Sequence, residues 1–488
     1  MRNQLPIISV LAPLLFAVIL VCFYRGHDTF KKIITLVGSG ISLLASLAMI
    51  PALVSGQTLG TDASFMSTPF AVVFQGDPLS IFFAVIFSFS FFLAIIYSFG
   101  YLAHSHAHLR YYSLMLVTQG AIVGVVMTAS LFGLFLFFEL MAITSYFLVI
   151  HEEDEKAMYA GSKYLFMTVV AGLGVFLGLV ITYHLGGRLD FVSGGYISAS
   201  PLASLALFAF LVGFGTKAGM FPVHIWLPEA HPAAPAPFSA LLSGSLLKTG
   251  AYGFIRLMYF IYTPQAVRAA NFDTVLLVLA VITILLGSAL ALRQDQLKRR
   301  LAYSSVAQIG YVLLGIALYS HYALMGALIH IFSHALMKGA LFLCAGAIIT
   351  QTGKKNVSEM KGIGHQMPIT MLAFTLASLT MVGIPPFNAY YSKWYLAVAS
   401  LEAGQGYLVA VLILSSLLNA LYYFPVVVNA FFPERGKIGA GKISWVRDEL
   451  PQGMVYSTAF LAILCVAFAF IQPHWPIVLA AKISTALF

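Results

Sequence analysis

The sequence predicts an all-α polytopic membrane protein, and this inference rests on composition, mean hydropathy and the length of the apolar segments. Of the 488 residues, 60% are hydrophobic and only 9% are charged, whereas a soluble globular chain is about 25% charged. The mean hydropathy is +0.93. Apolar segments of about 18 or more residues recur from end to end, and each can cross a hydrocarbon core of about 30 Å. The pattern excludes a soluble globular protein.

About fourteen transmembrane helices are predicted from these segments. Their predicted limits are 5–23, 33–54, 79–103, 110–129, 131–150, 157–185, 203–226, 237–262, 274–292, 302–319, 322–350, 367–400, 406–432 and 453–472. The first is uninterrupted and lacks a small-residue cleavage site, so we interpret it as a span and not as a signal peptide. We divide the chain into spans 1–3 (1–109), a five-helix unit (110–262), a second five-helix unit (263–432), and a final part (433–488). That final part contains a cytoplasmic loop, span 14 and a short tail.

The basic residues indicate how the chain is oriented. A net charge of +9 could suggest an anionic partner, but sixteen of the 26 lysines and arginines lie in loops that follow odd-numbered spans, and only four lie in the other loops. By the positive-inside rule the odd loops are cytoplasmic, and both termini lie on the opposite side. The positive charge therefore reflects topology, and no nucleic-acid partner is predicted.

The remaining six basic residues fall inside predicted spans. They are Lys163, Lys217, Lys248, Arg256, Lys338 and Lys393. Each costs at least about 2.5–3.5 kcal/mol at the centre of a span. Lys338 is roughly 18 Å or more from either end of its span, too far for simple snorkelling. We interpret Lys163 and Arg256, which lie nearer to span ends, as interfacial anchors, and the other four as functional candidates.

The stretch HIFSHALMKGALF, in the eleventh span, contains three protonatable groups on one helical face. His330, His334 and Lys338 occur at intervals of four residues, and imidazole titrates near neutral pH. We predict a proton wire along this face. Interhelical hydrogen bonding is the alternative for the histidines. A zinc site is less favoured because HxxxH lacks the adjacent glutamate of zinc proteases. The loop HSHAHLR at 104–110 could chelate a metal but is more typical of a solvated interfacial segment.

Prolines interrupt two of the spans. Pro222 lies in the seventh span, and Pro385 and Pro386 lie in the twelfth. A membrane tolerates such breaks only where the freed backbone groups face protein or a wet cavity. Because the breaks are five spans apart, and an odd displacement reverses direction, spans 4–8 and 9–13 are predicted to be inverted repeats. Broken helices 7 and 12 would then bring Lys217 and Lys393 to matching sites near the midplane.

The sequence offers no ligands for a redox cofactor. Cys22, Cys344 and Cys465 each stand alone in a span, so no cysteine cluster could hold iron and sulfur. No dinucleotide or P-loop motif follows a strand. We therefore expect no cofactor and no metal in this chain, and we expect redox chemistry, including quinone reduction, to take place in other chains.

Several motifs together carry a resemblance to a known family. They are FEL around Glu139, HIWLPEAH after Lys217, LLKTGAYG around Lys248, RRLAYSSVAQIGY at 299–311, HIFSHALMKGALF, and GIPPFNAYYSKW ending beside Lys393. In this order the chain resembles the antiporter-like subunits shared by respiratory complex I, Mrp cation/proton antiporters and membrane-bound energy-converting hydrogenases. The resemblance implies that Glu139 and Lys217 form an interacting pair and that Lys248 is the central lysine. It also implies that His330, His334 and Lys338 form the relay and that Lys393 is the terminal proton residue.

The resemblance implies a proton-translocating subunit of a multisubunit redox-driven complex of the hydrogenase or complex I type. Iron–sulfur or nickel–iron centres are then expected in partner subunits. Other expected partners are homologous antiporter-like chains, further membrane subunits, peripheral redox subunits and lipid, in the inner membrane of a prokaryotic cell. The alternative is a subunit of an Mrp-type cation/proton antiporter without a redox partner. Opposite charges 4 Å apart attract by about 4 kcal/mol at an effective dielectric constant near 20, so moving Glu139 toward or away from Lys217 could load or release a proton. A static ion pair between the two helices also stays open.

Overall fold

The computed structural model describes residues 2–23, 27–65, 70–103, 105–432, 451–471 and 475–488, and most of the regular structure in these ranges is helical. Ten of the described helical segments are apolar and long enough to cross a membrane by length and composition. The predicted all-α, multi-pass membrane architecture is confirmed.

The N-terminal spans form three long helices and a small hairpin. The elements are α1 (Leu5–Cys22), α2 (Asp28–Ala48), α3 (Ile50–Ser55), β1 (Leu59–Phe65), β2 (Val72–Gly76) and α4 (Pro78–Tyr101). Strands β1 and β2 pair antiparallel. Asp77 caps α4, because its carboxylate accepts the backbone N–H of Ser80 at 2.8 Å, a donor that the helix itself cannot satisfy.

Five further predicted spans come next, and one of them is broken. The elements are α5 (His108–Met127), α6 (Leu131–Val149), α7 (Glu155–Gly186), α8 (Pro201–Ala218), α9 (Leu227–Ala233), α10 (Ala236–Leu241), a π-helical turn (Leu242–Leu246), α11 (Leu247–Arg256) and a second π-helical turn (Leu257–Ile261). Gly219 ends α8 with a φ of +74°, which glycine adopts without a Cβ clash. The carbonyl of Thr216, in the last turn of α8, accepts from Gly219 N at 3.1 Å and from Trp226 Nε1 at 2.9 Å, so protein satisfies part of this break.

The second half of the chain repeats this use of a broken helix. Its elements are α12 (Pro264–Ala269), α13 (Phe272–Leu292), α14 (Leu297–Ala317), α15 (His321–Thr352), α16 (Ile363–Gln366), α17 (Pro368–Val382), α18 (Asn388–Glu402), α19 (Tyr407–Phe431), α20 (Gln452–Phe470) and α21 (Trp475–Thr485). Gly383, with a φ of +85°, separates α17 from α18. All fourteen predicted segments coincide with helical structure. The count of fourteen membrane crossings, the inverted symmetry and the four-part division of the chain remain predictions.

Helix α15 lies at the centre of one half of the bundle. It packs against α14, α17, α18, α20 and α21, and most of its side chains are buried. Outer helices instead present large apolar side chains, such as Leu44, Phe166 and Ile413, each about two-thirds exposed. The polar face of α15 therefore meets protein and not lipid, which makes its charged groups tolerable.

Candidate functional site

The three predicted relay residues of α15 are buried in one column. His330, His334 and Lys338 have no measurable solvent exposure. The two imidazole rings are nearly parallel, with centroids 6.0 Å apart, as expected for residues one helical turn apart on one face. The column is therefore long enough to link groups contributed by several neighbouring helices.

Lys248 of α11 reaches this column directly. Its Nζ lies 2.6 Å from Nδ1 of His334 and also donates to the carbonyl of Ser243. Ser243 lies in the π-helical turn that precedes α11, and π turns free carbonyls from the regular helical ladder and recur at functional sites. Two basic nitrogens in contact share a proton more easily than each can hold one, so the contact can pass a proton between the two half-bundles.

Lys338 is held by hydroxyl and carbonyl groups of other helices. Its Nζ donates to the carbonyl of Leu301 at 2.9 Å, to the Ser304 hydroxyl and to the Tyr423 hydroxyl at 3.3 Å. All of these partners are uncharged, so the described structure gives Lys338 no counter-ion within ion-pair distance. A lysine in this setting can exist with or without its proton, because neither state leaves a partner charge stranded.

The other end of the column reaches Lys393. His330 Nδ1 lies 2.8 Å from the Ser392 hydroxyl, and its ring stacks on Tyr311. Lys393 Nζ, 5.2 Å from the centre of the same Tyr311 ring, donates to the carbonyl of Val382 at 2.7 Å and to Ser416 Oγ at 2.9 Å. Val382 is the last residue of α17, so the break in the twelfth span supplies the acceptor that holds this lysine.

Glu139 and Lys217 lie on neighbouring helices but form no direct ion pair. Lys217 Nζ donates to the Tyr164 hydroxyl at 2.9 Å and lies 5.6 Å from the centre of the Phe138 ring. Glu139 is half-buried against Gly172, and its Oε1 has no hydrogen-bond partner in the described structure. No Glu139–Lys217 contact occurs within 4.0 Å among the described residues. The alternative of a contact ion pair that clamps two helices is therefore not what the structure contains.

A polar cavity lies at the end of the bundle where α4 and α15 end. Its volume is about 900 Å³, and its lining includes Tyr101, Glu152, Glu229, Lys298, Arg299 and Lys355. Leu297 N donates to the carbonyl of Lys355 at 2.9 Å, and Arg299 pairs with Glu229 at 3.0 Å. The segments after spans 5, 7, 9 and 11 thus meet at one end, which is what the positive-inside argument requires of them.

His231 is a candidate that the sequence analysis missed. It is fully buried in α9 and stacks on Phe342 with ring centroids 4.4 Å apart. Neither ring nitrogen has a hydrogen-bond partner in the part of the chain that the structure describes. Burial, assisted by the positive charges of Lys338, Lys298 and Lys248, lowers the pKa of His231, and Lys298 lines the cavity. The signal in the sequence is a histidine near Glu229 in LPEAHP, but the prolines there indicate only a connection between helices.

The two predicted interfacial anchors behave differently. Lys163 is partly exposed, and its Nζ lies 3.9 Å from Glu229, as expected near a span end. Arg256 does not lie at a lipid interface, because its side chain is 1% exposed and pairs with Asp77 at 2.7 Å, which anchors α11 to the beginning of α4. The sequence could not show that a carboxylate 179 residues away neutralises it.

The histidine-rich loop before α5 forms no metal centre among its described residues. His106 stacks on His151, and His108 Nε2 lies 2.7 Å from the carbonyl of Leu102. His104 lies outside the described residues. Across the described residues, no group of three or more histidine, cysteine, aspartate or glutamate side chains is arranged to hold a metal ion.

Comparison with known proteins gives consistent matches over most of the chain. Residues 128–419 match the family model described as NADH:quinone oxidoreductase/Mrp antiporter, transmembrane region. NADH-quinone oxidoreductase subunit N of Desulforudis audaxviator is 36% identical over 90% of this chain and 89% of its own length. Hydrogenase-4 component B of Escherichia coli is 33% identical over 72% of this chain and 54% of its own length.

A solved structure shares the fold. The match is with a chain of the Mrp complex from Dietzia sp. DQ12-45-1b, with a TM-score of 0.86 over all of this chain and 97% of that chain. The sequence identity is 22%. At that identity the likeness shows that the two chains have the same helical architecture.

Proposed function

Since this chain belongs to the family of NADH:quinone oxidoreductase and Mrp antiporter transmembrane subunits, we propose that it translocates protons as an antiporter-like subunit of a multisubunit redox-driven membrane complex. The complex is of the complex I or energy-converting hydrogenase type. Electron transfer takes place in partner chains, and the buried lysines and histidines of this chain move protons.

The observation that carries the proposal is the contact between Lys248 Nζ and His334 Nδ1 at 2.6 Å. It joins α11, in the first predicted five-helix unit, to α15, in the second. Both groups are basic and fully buried, and a purely structural contact would be made at lower cost by apolar side chains of similar size. A basic pair in contact is useful where a proton must pass from one group to the other.

Protons enter this route from the polar cavity. Lys298 borders the cavity and donates to the carbonyl of Ala234 at 2.9 Å. His231, two residues after Glu229 in the chain, lies in electrostatic range of both Lys298 and Lys338. From Lys338 and Lys248 the proton moves to His334, and the internal distances that remain are spanned by water.

Release takes place at the other end of the α15 column. His330, the Ser392 hydroxyl and Lys393 form a sequence of groups that can each accept or donate a proton. The carbonyls of Met381 and Val382 stabilise the charged form of Lys393. Lys393 is therefore the last proton-carrying group of the route in this proposal.

Glu139 and Lys217 act as a switch and not as a clamp. The Lys217 ammonium donates its hydrogen bond to the Tyr164 hydroxyl, while Glu139 Oε1 has no hydrogen-bond partner among the described residues. A small movement of the Glu139 carboxylate toward Lys217 favours the charged lysine, and a movement away favours proton release. Gly172 leaves the space in which the carboxylate sits.

The proposal includes the surroundings of the chain. Iron–sulfur or nickel–iron centres are assigned to partner subunits, and homologous antiporter-like chains, peripheral redox subunits and lipid are its neighbours. The chain lies in the inner membrane of a prokaryotic cell, with the polar cavity on the cytoplasmic side and both termini on the other side. The second candidate, a subunit of an Mrp-type cation/proton antiporter, is favoured by the family description, which includes Mrp antiporters.

Neutral substitution of the buried lysines tests the proposal. Lys338→Met and Lys393→Met should leave the complex assembled while proton uptake into inverted membrane vesicles collapses. Arg188→Met is the control, because Arg188 forms an exposed pair with Asp190 at 3.0 Å and lies outside the route. Normal proton uptake by the assembled Lys338→Met complex would reject the relay. Redox-driven uptake separates the two candidates, since an Mrp-type antiporter shows only cation-driven proton exchange.

A further inference from the structure

Arg256 is a buried charge that the proton route does not use. It lies eight residues after Lys248 on α11, with Tyr252 halfway between them, so all three occupy one face of the helix. Asp77, its partner, caps the beginning of α4, whereas Tyr101, at the end of α4, lines the polar cavity. A 24-residue helix is about 36 Å long. The Arg256 network therefore lies at the end of the bundle opposite to the cavity.

The guanidinium of Arg256 is almost completely satisfied. Nη1 donates to Asp77 Oδ2 at 2.7 Å and Nη2 to Asp77 Oδ1 at 2.9 Å. Nη2 also donates to Ser80 Oγ at 2.7 Å, and Nε donates to the Tyr252 hydroxyl at 2.8 Å. The rings of Phe260 and Phe191 lie 4.3 and 4.8 Å from the guanidinium carbon. Little of the group is left for water to bind.

The network lies between the buried interior around Arg256 and the partly exposed side chain of Asp77. The Arg256 side chain is 1% exposed, whereas the Asp77 side chain is 22% exposed. Burial raises the pKa of Asp77, but the charge and hydrogen bonds of Arg256 outweigh it, and the pKa lies below its ordinary value. On the inner side, the Tyr252 hydroxyl donates to the carbonyl of Val126 at 2.9 Å, which ties α11 to α5. The Asp77 side chain is thus partly exposed, whereas the guanidinium that it holds is buried.

The chemistry of arginine decides between an exit path and a barrier. Arginine keeps its proton at all physiological pH values, so it cannot pass protons along. Its fixed positive charge repels hydronium and other cations in a narrow passage. Lys248, about 12 Å away along the helix, must exchange protons with one side of the membrane at a time if transport is to be coupled to a driving reaction.

We propose that Arg256, held by Asp77, Ser80 and Tyr252, is a proton-tight seal that prevents Lys248 from exchanging protons with the solvent at this end of the bundle. The seal deepens the proposed function, on which it rests in taking Lys248 as a proton carrier. Its loss uncouples the complex by allowing protons to return through the route without driving the redox reaction.

The test measures passive proton leak in the absence of redox substrate. The whole complex is reconstituted into proteoliposomes, a potassium diffusion potential is imposed, and internal pH is monitored with a trapped dye. Arg256→Met should raise the leak per assembled complex about tenfold or more, equivalent to about 1.4 kcal/mol. Asp77→Asn should raise it much less, because the arginine charge remains. Arg188→Met is the control, since Arg188 forms an exposed pair with Asp190 at 3.0 Å.

Two further variants keep the test decisive. If Arg256→Met does not assemble, Tyr252→Phe removes one hydroxyl from the network and should still raise the leak above that of Arg188→Met. The double variant Arg256→Met with Lys248→Met should return the leak to the control value. A leak at the control value in both Arg256→Met and Tyr252→Phe, or one that persists in the double variant, overturns the seal. Failure of the proposed function is seen separately, as normal redox-driven pumping by Lys248→Met alone.

Discussion

The contact between Lys248 and His334 makes a quantitative prediction about His334→Gln. Two positive charges 2.6 Å apart repel by about 6 kcal/mol at an effective dielectric constant near 20. That energy disfavours a second proton on the pair by more than about four orders of magnitude. The pair therefore holds at most one proton, and a proton that arrives at Lys248 while the pair is occupied must displace the first toward His330.

The substitution His334→Gln removes the ability of this side chain to take up a proton while it keeps a hydrogen-bond acceptor at the same place. The side-chain oxygen of glutamine can accept a hydrogen bond from Lys248, as an unprotonated Nδ1 of His334 can, but it cannot take up the proton. We expect the complex to assemble and redox-driven proton pumping to fall by about 10²- to 10⁴-fold, the range in which a positioned acid–base group contributes. Pumping is measured as the rate of dye-reported acidification in inverted vesicles, normalised to the amount of assembled complex.

The matched control is Ser333→Ala. Ser333 is the neighbour of His334 in α15, it is 1% exposed, and its hydroxyl has no hydrogen-bond partner in the described structure. Pumping should stay within about twofold of wild type in this variant, since small changes in buried side chains are tolerated when no polar group is stranded. Wild-type pumping by assembled His334→Gln would refute the assignment of His334 as a proton acceptor.

Other parts of the structure give three further predictions. Gly172→Ala should lower pumping without loss of assembly, because a Cβ at this position would lie 2.4 Å from Glu139 Oε1 and must displace the carboxylate. The control is Gly40→Ala, whose Cβ meets nothing closer than 3.5 Å. Equal pumping by the two variants would contradict the switch. Burial, assisted by the charges of Arg110 and His106, lowers the pKa of His151 to about 4. Between about pH 6.5 and 4 the unfolded chain therefore binds more protons than the folded chain. The stability that His151 contributes is fully present above this window and is lost as the pH falls through it. The thermal unfolding midpoint should fall less over this range in His151→Phe than in wild type, and parallel curves would refute the assignment. Finally, in a chain without its native cysteines, a cysteine at Lys355 should resist an impermeant thiol reagent added to intact cells while a cysteine at Asp190 reacts, and the reverse pattern would invert the topology.

Local chemistry made part of the site visible in the sequence. Lysines and histidines are costly in apolar spans, so Lys248, His334 and Lys338 stand out from composition alone, and the prolines mark the breaks beside Lys217 and Lys393. Partners far apart in the chain could not be predicted. The contact of Lys248 with His334 spans 86 residues, and nothing near Arg256 in the sequence indicates Asp77.

The structure adds a detail at Glu139 and Lys217 that the resemblance does not give. The two groups are coupled electrostatically, while the hydrogen bond of Lys217 goes to Tyr164 at 2.9 Å. Sequence spacing fixes which helical face a residue occupies, but not which of several neighbouring groups its long side chain reaches. His231 shows the same limit, because only tertiary packing reveals that a histidine in a proline-rich connection is buried near Lys338.

The two π-helical turns that flank α11 determine where this segment tolerates a change in its length. Each turn, Leu242–Leu246 and Leu257–Ile261, accommodates more backbone than an α-helical turn of the same rise. Deleting a single residue from the first turn would let it relax into α-helix and would leave the phase of the flanking residues nearly unchanged. A deletion within α11 itself would instead rotate the residues on its two sides by about 100° relative to each other. Such a helix could keep Lys248 against His334 or Arg256 against Asp77, but not both. The angular phase of α11 is therefore fixed by residue count as much as by residue type, and a deletion is better tolerated in the π turns than between Lys248 and Arg256.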